Sequence, residues 1–257
     1  MRRLQMGNLK IEIYASRREA GAAAAEAAAA ELRRLARQNE SIGVIFATGA
    51  SQLETLRALI KITGLPWDRI RGFHMDEYIG IDADRIASFR YYMRQELTER
   101  VPMHSFYEVD GNAADPAKFC RQYAKALRSA NPQLCLLGVG ENGHLAFNDP
   151  GLADFNDPED MKIVALDEDC KQQQVAEGWF KLIEEVPSQA LTLTIPVLLR
   201  VPKLIVSVPG SRKAKIINRV LRDPISTACP ATILRTHPDT TVFLDEESAL
   251  ELESLRN

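Results

Sequence analysis

The sequence predicts an α/β fold of Rossmann-like, three-layer type, with a mostly parallel sheet and helices on both faces. Three observations carry that expectation. Short apolar runs of strand length recur between Ile42 and Leu244 and alternate with longer stretches of helical periodicity. Turns of small residues follow several of those runs directly. No internal repeat and no Pro/Gly/Ser-rich linker interrupts the 257 residues, so residues 1–257 read as one domain.

The elements follow in order. Leu9 to Ala15 alternates and predicts a strand. Ser16 is an expected N-cap for a long helix to about Gln38. The middle of that helix, Gly21 to Ala30, is mostly alanine, the best helix former, and its small face suits close packing on a sheet. Ile42 to Ala47 predicts the next strand, and Leu53, Leu56, Leu59 and Ile60 mark one face of a second helix. Arg69 to His74 predicts a strand, a polar loop follows, and helices are expected at about Ile86–Glu99 and Pro116–Ser129. Further strands are expected at Gln133–Leu137, Lys162–Leu166, Leu191–Ile195, Lys203–Val208 and Thr241–Leu244. Asp149 to Asp160 is rich in Gly, Asp, Asn and Pro and predicts a loop. Helices are expected after Ser211 and from Glu246 to the end.

Composition excludes several functions. The apolar fraction of 46% and charged fraction of 26% are those of a globular protein with a substantial core. At a net charge of −3, with Lys and Arg dispersed, no basic tract points to nucleic acid or an anionic membrane. No apolar run is long enough to span a bilayer, and polar Asn8 and Lys10 break any signal-peptide pattern, so a cytoplasmic setting is expected. Cys120, Cys135, Cys170 and Cys229 are far apart without CxxC spacing and read as reduced thiols. No metal is expected, and a homo-oligomer is compatible with the sequence.

Open parallel sheets bind ligands beyond the carboxyl ends of their strands. Three motifs each follow a predicted strand and are expected to share that rim. Ala47-Thr48-Gly49-Ala50-Ser51 is a strand, a small-residue turn and a helix start. It suits an anion held by backbone N–H groups, or it is a plain turn with Ser51 as cap. Phe73-His74-Met75-Asp76-Glu77-Tyr78 sets two carboxyls at a strand end. They offer a general base if burial lifts a pKa, or a solvated acidic loop; His74 reads as a hydrogen-bonded core residue. Gly138 to Pro150 contains three glycines that allow close backbone approach to a ligand. In it, His144 is suited to proton transfer, with Asp149 to orient it if the loop folds back, or to a structural hydrogen bond. The glycine spacing is not that of a dinucleotide fingerprint. A fourth segment, Pro209-Gly210-Ser211-Arg212-Lys213, puts Lys213 at a helix start, either for a phosphate or as a solvated cation.

Taken together and in this order, these four motifs resemble the glucosamine-6-phosphate deaminase family, whose superfamily includes 6-phosphogluconolactonase. Met75–Tyr78 and Gly143-His144-Leu145-Ala146-Phe147-Asn148 are the most specific parts. The resemblance implies a cofactor-free aldose–ketose isomerisation coupled to deamination, giving fructose 6-phosphate and ammonium from glucosamine 6-phosphate and water. It implies Asp76 as the base between C2 and C1, His144 as the group that assists ring opening, and Asp149 as its acidic partner. It implies Thr48, Gly49, Ala50, Ser51 and Lys213 around the phosphate, and Glu77, Gly143 and Lys171 as further substrate contacts. The sequence departs from the family at Asn142, where an Asp is usual, and at Asp149, where a Glu is usual. The family's further phosphate-binding Arg has no clear counterpart in the segment from Asp169 to Glu177, where Lys171 is the substitute. Asp154 to Asp160 is acidic where the family's allosteric site is basic, which predicts no amino-sugar activation. Two other functions fit parts of the pattern. One is a lactonase using His144 with Asp76 idle. The other is a non-catalytic sugar-phosphate sensor.

Overall fold

The computed structural model describes residues 1–176 and 178–252. Its main sheet has eight strands: β1 (Arg2–Met6), β2 (Leu9–Tyr14), β3 (Ile42–Phe46), β4 (Ile70–His74), β6 (Ser105–Tyr107), β7 (Pro132–Leu137), β10 (Lys203–Ser207) and β11 (Thr240–Asp245). They lie in the order β1-β2-β11-β10-β7-β3-β4-β6. Every neighbouring pair is parallel except β1–β2.

Strand alternation builds the three layers. Val44, Phe46, Leu134, Leu136, Ile205 and Phe243 pack with α1 (Arg17–Ala36) and α2 (Leu53–Leu59). The intervening Ile45, Cys135, Leu137, Leu204 and Val206 pack with α4 (Pro116–Ala130) and α7 (Ala214–Arg222). The Ser16 hydroxyl caps α1 by accepting from Glu19 N at 3.2 Å. Ala24, Ala25, Ala28 and Ala29 are fully buried, as the small-residue face predicts. Gly21 lets α2 cross closely: a Cβ there would lie 2.5 Å from Glu54 Cβ.

A second sheet departs from the parallel expectation. The strands expected at Lys162–Leu166 and Leu191–Ile195 form as β8 (Met161–Ala165) and β9 (Gln189–Leu193), but they join β5 (Asp76–Tyr78) in an antiparallel sheet ordered β5-β9-β8. β8 is the edge of this sheet and is only partly covered, with Met161 and Val164 buried and Ile163 and Ala165 exposed. The Asp76–Tyr78 segment is therefore a buried strand, not a polar loop.

Other boundaries shift for local reasons. The helix expected from Ile86 begins at Phe89, where Ser88 supplies the cap, and α3 (Phe89–Met93) runs into a π-helical turn at Arg94–Thr98. Strands β1 and β6 and helices α5 (Glu168–Ala176) and α6 (Ile195–Leu199) are present beyond expectation. The expected C-terminal helix is described only as a turn at 246–249 and a 3₁₀ segment at 250–252; its remainder, like Glu177, lies outside the described residues. Among the described residues, no helix is long and apolar enough to cross a membrane. The four cysteines are free and buried.

Candidate active site

Successive connections run outward in opposite directions from β3 and β7, so the order reverses between these two adjacent strands. A crevice opens beyond their carboxyl ends, where open α/β sheets bind ligands. A cavity of about 280 Å³ lies there, lined in part by Thr48–Ser51, Asp76, Gly138–Gly140, His144 and Gly210–Lys213. The four predicted motifs thus reach one cleft.

The turn after β3 is tied down on three sides. Ala47 N donates to Leu136 O (2.9 Å), Gln52 Nε2 to Leu137 O (3.1 Å), and the Tyr92 hydroxyl to Gly49 O (3.0 Å). The N-cap of α2 is Gln52, not Ser51, and no side chain caps it. This leaves Thr48, Gly49, Ala50 and Ser51 along the cleft wall.

Asp76 is carried into the cleft by the step from β4 to β5, and it is only 6% exposed. Its Oδ1 is buried with no hydrogen-bond partner among the described residues. Burial, and then the neighbouring Glu77 charge, hold its carboxyl well above the usual range. Glu77 points the other way, as period-two alternation requires. It is fully buried and accepts from Tyr78 N, Ser88 Oγ, Phe89 N and Arg90 N at 2.7–3.1 Å, with Arg90 Nε at 3.4 Å. Burial raises its pKa against those hydrogen bonds. Glu77 thus ties α3 to β5 and does not line the cleft. His74 is a core residue as expected. It is fully buried, accepts from Val109 N at 2.5 Å through Nε2, and is pushed down to about 3, first by burial and then by Arg90.

The loop after β7 folds back on itself. Gly143 N donates to Gly140 O, and Gly140 N to His144 O, at 3.1 and 3.0 Å. The His144 ring lies against Gly140: a Cβ there would come within 2.2 Å of it. Asn142 closes the turn by accepting from His144 N (3.0 Å) while its Nδ2 donates to Asp149 Oδ1 (2.9 Å). His144 Nδ1 stands 2.8 Å from the same Asp149 oxygen. Asp149 is fully buried. Burial raises its pKa, but hydrogen bonds from His144, Asn142 and Cys170 outweigh that and hold it below the usual value. The loop therefore offers an imidazole at the cleft, backed by a carboxylate that two neighbours support.

Lys213 arrives on a short 3₁₀ turn (Ser211–Lys213) and is 7% exposed. The turn is fixed by Asp245, both of whose carboxylate oxygens accept from Gly210 N at 3.0 Å. Beside it, Arg212 Nε lies 3.3 Å from Glu141 Oε1 and links the loops after β10 and β7.

Thr48, Gly49, Ala50, Ser51, Asp76, His144 and Lys213 line the cleft, and Asn142 and Asp149 support His144 from behind. Gly143 and Lys171 do not line it. Five lining residues escaped the sequence reading: Arg17, Phe89, Gln173, Gln174 and Glu247. Gln173 also accepts from Glu141 N (3.1 Å), pinning α5 to the histidine loop. None of the five belongs to one of the four predicted motifs. Their only signal was position, at helix starts or in an unassigned polar segment. His144, Asp149 and Cys170 place potential metal ligand atoms within 4.8 Å of one another, but the His144–Asp149 contact already occupies the interior of that group.

Residues 15–243 match the family described as glucosamine-6-phosphate isomerases/6-phosphogluconolactonase. Curated glucosamine-6-phosphate deaminases of Bacillus thuringiensis (strain Al Hakam) and Bacillus cereus (strain AH820) are each 34% identical over 213 residues, which cover 82% of this chain and 78% of theirs. The fold superposes on a solved monomeric glucosamine-6-phosphate deaminase with TM-score 0.85 and 28% identity, over 94% of this chain and 99% of that one. A 6-phosphogluconolactonase from Thermotoga maritima shares the fold at TM-score 0.75 and 22% identity, over 91% of this chain and 98% of its own.

Proposed function

The chain belongs to the glucosamine-6-phosphate isomerase/6-phosphogluconolactonase family, and we propose that within it the protein is the deaminase, converting glucosamine 6-phosphate and water to fructose 6-phosphate and ammonium. The observation that carries this reading is the buried carboxyl of Asp76 in the same cleft as the His144–Asp149 pair.

In this reading the phosphate lies against Thr48–Ser51 and Lys213. His144 moves a proton between the ring oxygen and the anomeric hydroxyl and so opens the pyranose. Asp76 takes the proton from C2, leaving an enolamine, and returns a proton to C1. The C2 imine that results adds water and loses ammonia, so the sequence is redox-neutral. Burial makes Asp76 a stronger base than an exposed carboxylate, and a cationic amine at C2 would favour its ionised form in the complex. Asn142 leaves one negative charge behind His144 where the family pattern has two. Residues from both ends of the chain, Arg17 and Glu247, line the cleft, so residues 1–257 act as one unit in this reading. A cytoplasmic enzyme acting on a small sugar phosphate is the corresponding setting.

Lactone hydrolysis would use His144 to activate water and leave Asp76 idle, and an idle buried carboxyl is a cost with no return. The two activities are separated by assaying ammonia release from glucosamine 6-phosphate and opening of 6-phosphogluconolactone side by side. Ammonia release as the faster reaction supports the proposal, and lactone opening as the faster one overturns it.

A further inference from the structure

We infer that Arg17 is a substrate-binding residue that holds the phosphate together with Lys213. Arg17 is the first residue of α1, and its position is set by two contacts outside the cleft. Ser16 caps the helix, and Gly21, one turn on, lets α1 pack against α2 at the Glu54 backbone. That packing delivers the guanidinium to the turn after β3, where Nη2 donates to Ala50 O at 3.2 Å. Arg17 lines the cleft together with Thr48–Ser51, Ser211 and Lys213.

Charge and donor count both fit an anion here. A guanidinium carries five N–H donors in a planar fork, and the Ala50 bond uses one. A phosphate monoester brings about −1.5 to −2 charges and several strong acceptor oxygens. The third cation of this rim, Arg212, lies 3.3 Å from Glu141, and Glu247 also lines the cleft. Arg17 and Lys213 both bring positive charge to the wall of the cleft, which suits a phosphate dianion. The bond to Ala50 holds the fork in place before substrate arrives, which reduces the ordering cost of binding.

This inference rests on the turn at Thr48–Ser51 being the phosphate end, and the test separates the two claims. Inorganic phosphate is used as a competitive inhibitor of ammonia release by the wild type, Arg17→Ala, Arg17→Lys and Lys213→Ala, each checked for an unchanged Tm. In Arg17→Ala, KM for glucosamine 6-phosphate and Ki for phosphate rise together, roughly 10-fold, with kcat within about threefold. Arg17→Lys recovers part of the loss by restoring charge without the fork. An unchanged Ki in Arg17→Ala, with Lys213→Ala weakened, overturns the role of Arg17 and leaves the phosphate end standing. An unchanged Ki in both variants overturns both. A loss confined to kcat also overturns the inference, because it would mean a distorted site and not a lost phosphate contact.

Discussion

Replacing Asn142 by Asp should make this protein's stability depend on pH in a way the wild type's does not. Asn142 Nδ2 donates to Asp149 Oδ1 at 2.9 Å, and Asn142 Oδ1 accepts from His144 N at 3.0 Å. An Asp keeps the second bond and turns the first into two carboxylate oxygens in contact. At 2.9 Å, two unit charges repel by about 6 kcal/mol at an effective dielectric of roughly 20. Position 142 is half-exposed, so solvent and protonation relieve most of this, leaving a penalty on the order of 1–3 kcal/mol. The new group's folded-state pKa is raised. The penalty is therefore absent below the unfolded value of about 4, grows as the pH rises, and is full above the folded value. When protonated, the new Asp can donate O–H to Asp149 and restore the lost bond. Urea unfolding of Asn142→Asp and wild type at pH 4 and pH 8 reads this directly. The variant should match wild type at pH 4 and fall below it at pH 8. Equal midpoints at both values would refute the placement of the Asn142 amide on Asp149.

Three further outcomes follow from the same geometry. Asp149→Asn removes a buried charged acceptor 2.8 Å from His144 Nδ1 and should lower kcat for ammonia release about 10- to 100-fold; an unchanged kcat would show that Asp149 does not support His144. Gly140→Ala would put a Cβ 2.2 Å from the His144 ring and should abolish turnover by displacing it, while circular dichroism stays native; full activity would mean that the ring lies elsewhere. His74 is held down to about 3, so the wild type loses stability as pH falls from about 6.5 towards that value. His74→Gln cannot take up that proton, so the gap in unfolding free energy between variant and wild type should narrow over this range; a constant gap would refute the burial of His74.

The main sheet was legible because its strands are buried on both faces and read as apolar runs. Ile42–Phe46, Pro132–Leu137 and Lys203–Ser207 stand out for that reason. β1 carries Arg2, Arg3 and Gln5 on an exposed edge, and β6 is three half-buried residues, so neither has such a signal. Asp76 and Glu77 could be read from sequence either as a source of a general base or as a solvated acidic loop, because their burial depends on β9, more than a hundred residues away. The same distance hid their division of labour: Asp76 faces the cleft, and Glu77 gathers the N–H groups at the start of α3. The histidine loop was more legible. The bonds that turn it back, among Gly140, Asn142, Gly143, His144 and Asp149, are local, and the fold-back of Asp149 onto His144 is the geometry the motif suggested. Arg17 was not legible, because helix packing and not a local motif brings it to the turn.

The central claim is that Asp76 moves the substrate proton, and Asp76→Asn tests it most directly. Its carboxyl is raised well above the usual range, so it favours folding only when protonated and loses that contribution as pH rises through the folded value. The neutral amide should therefore leave the protein at least as stable as wild type at pH 8, which separates chemistry from folding. With the fold intact, ammonia release from glucosamine 6-phosphate should fall by about 10²- to 10⁴-fold. A wild-type rate in a folded Asp76→Asn variant would contradict the account.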